Sequence, residues 1–270
     1  DFKDLVNAAH ALGMKVVLDW VANHTGWDNP WITQHPDWYT QVNGKIIWPA
    51  GTDWTDVADL NYDNQQMRAA MIDALKYWVT DFDIDGYRAD VAGGVPTDFW
   101  NTATAQVNAI KPLFWLAENG DNSDLLQSAF QANYNWDLLG TLNKNATGLA
   151  SKYSFTDSLL RTESWFPAGS YPMNFITNHD ENSWNATEYT RLGSFVNSFA
   201  ALTFTVPGMP LIYTGQEVGN RKMLQFFERD TISWDGDPAT TAFYTKLVKL
   251  KHQMPALEAG PTGAEINFLS

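Results

Sequence analysis

The sequence predicts an α/β fold of the (β/α)8 TIM-barrel class, truncated to about six βα units. Short apolar runs typical of buried strands recur along the chain, with helical segments between them. Four acidic residues each follow such a run by one step: Asp19, Asp90, Glu118 and Asp180. The carboxyl ends of all strands meet on one face of such a barrel, so these residues should surround a single pocket. Because clustered carboxylates repel one another, their gathering indicates acid, base or nucleophile chemistry.

Each predicted strand is a short apolar run of the kind that parallel sheets bury. The strands are expected near 15–20, 84–91, 113–118, 133–137, 172–178 and 209–214. Helices are expected near 2–12, 63–80, 97–110, 123–131, 187–206 and 238–252, with Asp63, Thr97 and Asp237 as N-caps. The alternation predicts a parallel sheet, and the number of units favours a closed barrel over an open one.

The segment 25–62 interrupts this alternation. It contains several Gly and Pro residues, no long periodic stretch, and Trp27, Trp31, Trp38, Trp48 and Trp54. A connection of this length after a barrel strand is usually functional. We therefore expect a small inserted subdomain over the catalytic face, after the strand at 15–20.

Composition narrows the class of partner. The chain has 270 residues, 44% of them hydrophobic, which is enough to bury a large core. Its net charge of −14 without a basic patch argues against nucleic acid and anionic membranes, and favours an uncharged or cationic ligand. The 13 Trp suit the apolar faces of sugars as well as a core. No run is long enough to span a membrane, and the absence of Cys excludes disulfides and thiol chemistry.

Several short motifs then become recognisable. In order they are Asp19-Trp-Val-Ala-Asn23-His24, Val57-Ala-Asp59-Leu-Asn61, Gly86-Tyr-Arg88-Ala-Asp90, Glu118 at a strand end, and Phe175-Ile-Thr-Asn-His179-Asp180. Together they resemble the signature regions of the α-amylase family, glycoside hydrolase family 13. The stretch Gly208–Glu217 is similar to the eighth strand of that family and the loop after it. The resemblance runs from residue 1 to about 258 and implies a retaining glycosidase that acts on α-glucans.

The residues themselves suggest two roles. Arg88 and Asp90 lie two positions apart on a strand, so both side chains point into the barrel mouth, and the guanidinium keeps Asp90 ionised as a nucleophile. Glu118 follows Trp115, Leu116 and Ala117, whose desolvating effect would raise its pKa and suit a general acid. The resemblance implies that Asp180 supports the transition state. It also implies that His24 and His179 bind sugar hydroxyls.

Asp19 has two possible roles in the predicted site. Asp19 either contacts substrate or braces Arg88.

Asn23 and Asp59 resemble two oxygen ligands of the calcium site found in many family members, so Ca²⁺ is the one metal expected, with no organic cofactor. Ala92-Gly93-Gly94 departs from the Lys-x-x-His or Lys-His pair that calcium-binding members carry after the nucleophile. The alternating run at 81–85 reads as a solvated turn.

The resemblance also bears on where the sequence begins and ends. The run ending in Asp19 matches the third strand of the family barrel, so we expect that the first two strands belong to an N-terminal segment of the full-length chain. The chain opens at Asp1 inside a helical pattern, and any signal segment would lie outside it, which leaves the localisation open, with secretion or a periplasmic location compatible. We expect 1–258 to form the incomplete barrel and 259–270 the start of a C-terminal β-domain, opening with a strand at 265–269.

Three function classes stay open: a retaining α-glucan hydrolase, a transglycosylase using the same site, and an inactive relative that only binds. The presence of Arg88 and all three carboxylates disfavours the last. In the family, a Val directly after the nucleophile, here Val91, often accompanies α-1,6 activity, whereas the Val57–Asn61 motif looks like that of α-1,4 enzymes. We favour α-1,4 hydrolysis of starch-like glucans or maltooligosaccharides. The alternative is a cyclomaltodextrinase, neopullulanase or α-1,6 type of hydrolase, or a glucan transglycosylase.

Overall fold

The computed structural model of the chain describes residues 1–120, 122–151, 153–260, 262–264 and 266. The chain divides into two compact units, residues 1–133 and residues 134–270.

The first unit alternates strands and helices as predicted. Its helices are α1 (Phe2–Ala11), α2 (Trp31–Gln34), α3 (Gln65–Phe82), α4 (Thr97–Asn108) and α5 (Leu125–Ser128). Its strands are β1 (Val17–Val21), β2 (His24–Gly26), β3 (Gln41–Val42), β4 (Lys45–Ile46), β5 (Val57–Asp59), β6 (Gly86–Asp90), β7 (Phe114–Ala117) and β8 (Ala132–Tyr134), the last of which ends at the division between the units.

Parallel pairing of β1 with β6, β6 with β7 and β7 with β8 builds the core of this unit. Tyr87 and Trp115 are fully buried on neighbouring strands, and their rings stack with centroids 5.0 Å apart. Gly86 is required by this close packing, because a Cβ there would lie 2.3 Å from the carbonyl oxygen of Phe114. Among the described residues of this unit, β1 pairs with β6 alone.

Local side-chain chemistry decides where α3 begins. The side chain of Asn64 accepts hydrogen bonds from the amides of Gln66 and Met67, so Asn64 is the N-cap. The prediction of Asp63 was wrong by one residue. The prediction of Thr97 as a cap was also wrong, because Thr97 is the first residue of α4 and Pro96 occupies the cap position.

The predicted subdomain at 25–62 contains only short elements. β2 pairs antiparallel with β5, and β3 with β4. Trp38 is buried there, with its ring stacked 4.0 Å from that of His35. Trp27, Trp48 and Trp54 are each exposed over 36% or more of their surface. That this segment is a separate inserted subdomain stays a prediction.

Asp85 corrects the prediction of a solvated turn at 81–85. Its side chain is only 11% exposed and accepts hydrogen bonds from the amide of Val16 at 2.9 Å, from His10 at 2.7 Å and from Lys15 at 3.1 Å. Burial alone would raise the pKa of Asp85, but these donors outweigh it and hold the pKa well below its usual range. Asp85 therefore links His10 of α1 to the backbone of Val16, the residue just before β1.

The second unit contains two parallel strands and five helices among the described residues. They are α6 (Trp136–Ala146), α7 (Ser154–Trp165), β9 (Tyr171–Asn174), α8 (Glu188–Leu192), α9 (Val196–Thr205), β10 (Met209–Pro210) and α10 (Pro238–Gln253). β10 pairs with β9, and the amide of Asn135 donates to the carbonyl of Met173. Asp237 caps α10, as predicted, by accepting from the amide of Ala239.

Three departures from the predicted elements have local causes. The strand expected over 133–137 is cut short, because Asn135 caps α6 through the amide of Leu138. The helix expected over 187–206 is divided at Gly193, whose φ of 55° ends α8. The helices α6 and α7 were not predicted at all.

The strand expected at 265–269 lies outside the described residues apart from Ile266, so it stays a prediction. Within the described residues, each helix is too short or too polar to cross a lipid bilayer.

Candidate active site

Arg88 holds three of the predicted site carboxylates together in the first unit. Its Nη1 lies 2.8 Å from Oδ1 of Asp19 and 2.8 Å from Oδ1 of Asp90, and its Nη2 lies 2.7 Å from Oε1 of Glu118. The guanidinium is only 9% exposed, whereas the side chains of Asp19, Asp90 and Glu118 are 62%, 22% and 15% exposed. One buried positive charge therefore fixes three carboxylates that would otherwise repel one another.

Strand register explains this convergence. Asp19 on β1 pairs with Arg88 on β6, and two residues further on Asp90 ends β6 on the same side. The amide of Glu118 donates to the carbonyl of Ala89, which continues the pairing of β7 with β6. Arg88 thus acts on the carboxylates as a positioning residue, and Asp19 has the bracing contact that was one of its two readings. Substrate contact by Asp19 or Arg88 stays a prediction.

The environment of Glu118 differs in one respect from the apolar setting expected of it. Besides Arg88, the amide of Val91 donates to Oε2 of Glu118 at 3.1 Å. Both contacts favour the charged carboxylate, although the side chain is largely withdrawn from solvent.

Val91 adopts a backbone conformation that a β-branched residue rarely takes, with φ 43° and ψ 45°. Three further contacts hold this turn: Ala92 donates to the carbonyl of Glu118 at 2.9 Å, Trp100 donates from its indole to the carbonyl of Ala92, and Gly94 donates to the carbonyl of Val91. Such strain persists only where the surroundings fix the backbone. The sequence offered no sign of it beyond the two glycines that follow.

His24 begins β2, and the negative charge of nearby Asp90 acts to raise its pKa. Burial lowers the pKa of His24, and this outweighs the opposing effects of Asp90, Asp56 and Asp59. The ring is therefore neutral at pH 7. Nδ2 of Asn23 donates to its Nδ1 at 3.3 Å, which leaves the proton on Nε2. A neutral ring that donates from Nε2 can bind a hydroxyl oxygen.

Asn23 and Asp59 supply only part of the oxygen coordination that Ca²⁺ prefers. Both offer oxygen atoms, the kind of ligand that Ca²⁺ prefers. A Cβ on Gly94 would lie 2.5 Å from Oδ1 of Asn23, so glycine at 94 makes room for that amide. However, Ca²⁺ takes about six to eight oxygens. Within the described residues no group of three His, Cys, Asp or Glu ligands includes Asp59. The calcium site stays a prediction.

His179 and Asp180 lie in the second unit, between the end of β9 and a π-helical turn, Glu181–Asn185. Nε2 of His179 lies 3.5 Å from Oδ2 of Asp180, and both side chains are more than a third exposed. The amide of Glu181 donates to Oδ1 of Asn178 and so shapes the turn that presents the pair. Burial raises the pKa of Tyr213, and the negative charge of nearby Asp180 raises it further.

Comparison with known proteins supports the family resemblance. A family model described as the alpha-amylase catalytic domain matches residues 1–111. The crystal structure of an alpha-amylase from Lactobacillus plantarum is similar over 95% of this chain and 63% of its own, with 37% identity and a TM-score of 0.85. These matches support the assignment of the chain as a fragment of an α-amylase family member. A maltogenic alpha-amylase, AmyB from Thermotoga neapolitana, is similar over 95% of this chain and 59% of its own, with 32% identity and a TM-score of 0.86.

Among curated proteins, the alpha-amylase MalA of Haloarcula japonica is 28% identical over 96% of this chain and 39% of its own length. The chain thus spans less than two thirds of the length of each of these relatives. The predicted fold class is confirmed, because the matched structures are (β/α)8 amylases. Other curated relatives are a cyclomaltodextrinase and a cyclomaltodextrin glucanotransferase, each covered over less than half of its length.

Proposed function

We propose that this α-amylase family chain carries the catalytic residues of a retaining glycosidase that hydrolyses α-1,4-glucosidic bonds in starch-like glucans or maltooligosaccharides. One observation carries the proposal: Asp90 and Glu118 both contact the guanidinium of Arg88, at 2.8 and 2.7 Å. Two carboxyl groups held against one guanidinium favour the short separation of about 5–5.5 Å that retaining enzymes use.

The reaction has two steps. Asp90 attacks the anomeric carbon, the bond from that carbon to the leaving oxygen breaks, and Glu118 gives that oxygen a proton. Glu118, now a carboxylate, takes a proton from water as the water oxygen attacks the anomeric carbon, and the bond to Asp90 breaks. Arg88 holds Asp90 in position for the first step. His24 would donate from Nε2 to a sugar hydroxyl. Asp180 and His179 would hold the distorted ring, as the family resemblance implies.

The first step needs a proton on Glu118, whose side chain is the least exposed of the three carboxylates that contact Arg88, at 15%. Burial penalises the charged form most at the carboxyl with least access to water. At Glu118 this effect of burial opposes the contacts from Arg88 and from the amide of Val91, which favour the charged form.

The second candidate is a cyclomaltodextrinase or neopullulanase type of specificity, or transglycosylation on the same site. The cyclomaltodextrinase and glucanotransferase among the relatives favour it, as does Val91 after the nucleophile. Product analysis on starch, pullulan and cyclodextrins, using the full-length protein, separates these activities. Linear maltooligosaccharides released from starch faster than from the other two support the first proposal. The Asp90→Asn variant is the matched control and should release no products. Transfer products or faster cyclodextrin cleavage would favour the second candidate.

A further inference from the structure

A cluster of exposed aromatic rings lies beside the turn that presents His179 and Asp180. We call Trp184, Phe226 and Phe227 the ring cluster; they are 58%, 43% and 75% exposed. Their centroids lie 4.9 Å apart for Trp184 and Phe226, 4.9 Å for Phe226 and Phe227, and 5.9 Å for Trp184 and Phe227. Large rings that are exposed together mark an interaction site rather than a core.

The ring cluster adjoins His179 within the second unit. The ring of Phe226 lies 6.3 Å from that of His179, with the two planes inclined by 23°. Both line an open depression of about 500 Å³, whose lining also includes Tyr213, Glu228, Asp230 and Trp234. The depression therefore combines aromatic faces with hydrogen-bonding groups.

A buried polar contact fixes the rings before any ligand binds. Asn182 lies in the same π-helical turn as Trp184 and is only 1% exposed. Its Nδ2 donates to the carbonyl of Lys222 at 3.2 Å, and its Oδ1 accepts from the amide of Leu224 at 2.8 Å. This joins the turn to the loop that bears Phe226 and Phe227. π-Helical turns are rare and frequently occur at functional sites.

The geometry points to a sugar-binding position: we propose that the ring cluster stacks on the glucosyl unit next to the one that His179 and Asp180 would hold. This inference rests on the proposed function. A pyranose ring is uncharged, presents a C–H face to an aromatic ring, and carries hydroxyls at its edge. It therefore matches both the rings and the carboxylate of Glu228. An anionic ligand would meet that carboxylate and the chain's overall charge of −14.

The test uses the full-length protein with Asp90→Asn, which prevents turnover, and calorimetric titration with maltoheptaose. Adding Trp184→Ala or Phe227→Ala should raise the Kd roughly tenfold, the size expected for loss of one well-placed aromatic contact. Adding Tyr153→Ala, which removes an aromatic residue of similar exposure that belongs neither to the ring cluster nor to the lining of the depression, should leave the Kd unchanged. All the residues replaced are exposed, so the melting temperatures should match that of the parent.

A second measurement separates a sugar contact from a general weakening. In the active background, Trp184→Ala should redistribute the first bond cleaved in end-labelled maltoheptaose, whereas Tyr153→Ala should not. Unchanged Kd and an unchanged cleavage pattern in both ring-cluster variants would overturn the inference while leaving the proposed function intact. If the Asp90→Asn parent binds no glucan at all, the proposed function fails instead.

Discussion

The backbone amide of Val91, held at φ 43°, donates a hydrogen bond of 3.1 Å to Oε2 of Glu118. Strain at one residue is thereby coupled to the position of the proposed acid. Because the rare conformation costs about 1–3 kcal/mol in a residue of this kind, relieving it should stabilise the fold.

Val91→Gly should raise the free energy of unfolding by about 1 kcal/mol, since the relief of strain exceeds the added freedom of the unfolded chain. It should also lower kcat several-fold and shift the pH profile of kcat, because the amide that orients Glu118 becomes mobile. Thermal unfolding and pH-dependent kinetics of the full-length protein measure both effects. Val91→Asn is the control: Asn tolerates the left-handed region, so this variant should keep more activity than Val91→Gly. A glycine variant that is less stable, with an unaltered pH profile, would refute the coupling.

Asp85→Asn should destabilise the protein at pH 7 and by a smaller amount at pH 3. The pKa of Asp85 is lowered in the folded state, so its contribution is fully present above the unfolded-state pKa of about 3.9, declines below that pH, and is lost only as the pH falls through the folded-state pKa. Denaturant unfolding of both proteins at pH 7, 5 and 3 measures the difference. Asp81→Asn, in the same acidic run, serves as the control and should have little effect at any of these pH values. An equal loss at pH 3 and pH 7 for Asp85→Asn would rule out the charge as its cause.

If Asn23 and Asp59 bind Ca²⁺, a chelator should lower the melting temperature, because an ion bound only by the native state stabilises it by mass action. Asn23→Ala should abolish this shift. Their side-chain oxygens should also lie within about 5 Å of each other in a calcium-soaked crystal. A melting temperature that excess chelator leaves unchanged would count against the site.

Much of the fold could be predicted from residue pattern because strand-forming apolar runs end at polar residues that face the site. Asp19, Arg88, Asp90 and Glu118 were identified in this way, and the structure brings all four together. The local sequence pattern did not reveal features that depend on partners far away in the sequence. Asp85 looked solvated because its donors, Val16 and His10, lie far away in sequence.

Two other features escaped prediction for related reasons. The strain at Val91 is imposed by Trp100 and Glu118 around it, and valine in isolation gives no sign of it. The ring cluster is assembled from a π-helical turn and an irregular loop, neither of which has a periodic pattern. The adjacent pair Phe226-Phe227 in a segment without periodicity was the one available signal.

The central claim, that Asp90 is the nucleophile of a retaining glycosidase, is tested most directly by trapping the covalent intermediate. A fluorinated α-glucosyl fluoride forms the glycosyl-enzyme but slows its hydrolysis, and mass spectrometry of the digested full-length protein then locates the label. The account predicts one glucosyl adduct on the peptide containing Asp90, absent from the Asp90→Asn variant. An adduct on another carboxylate, or turnover with inversion and no adduct, would contradict it.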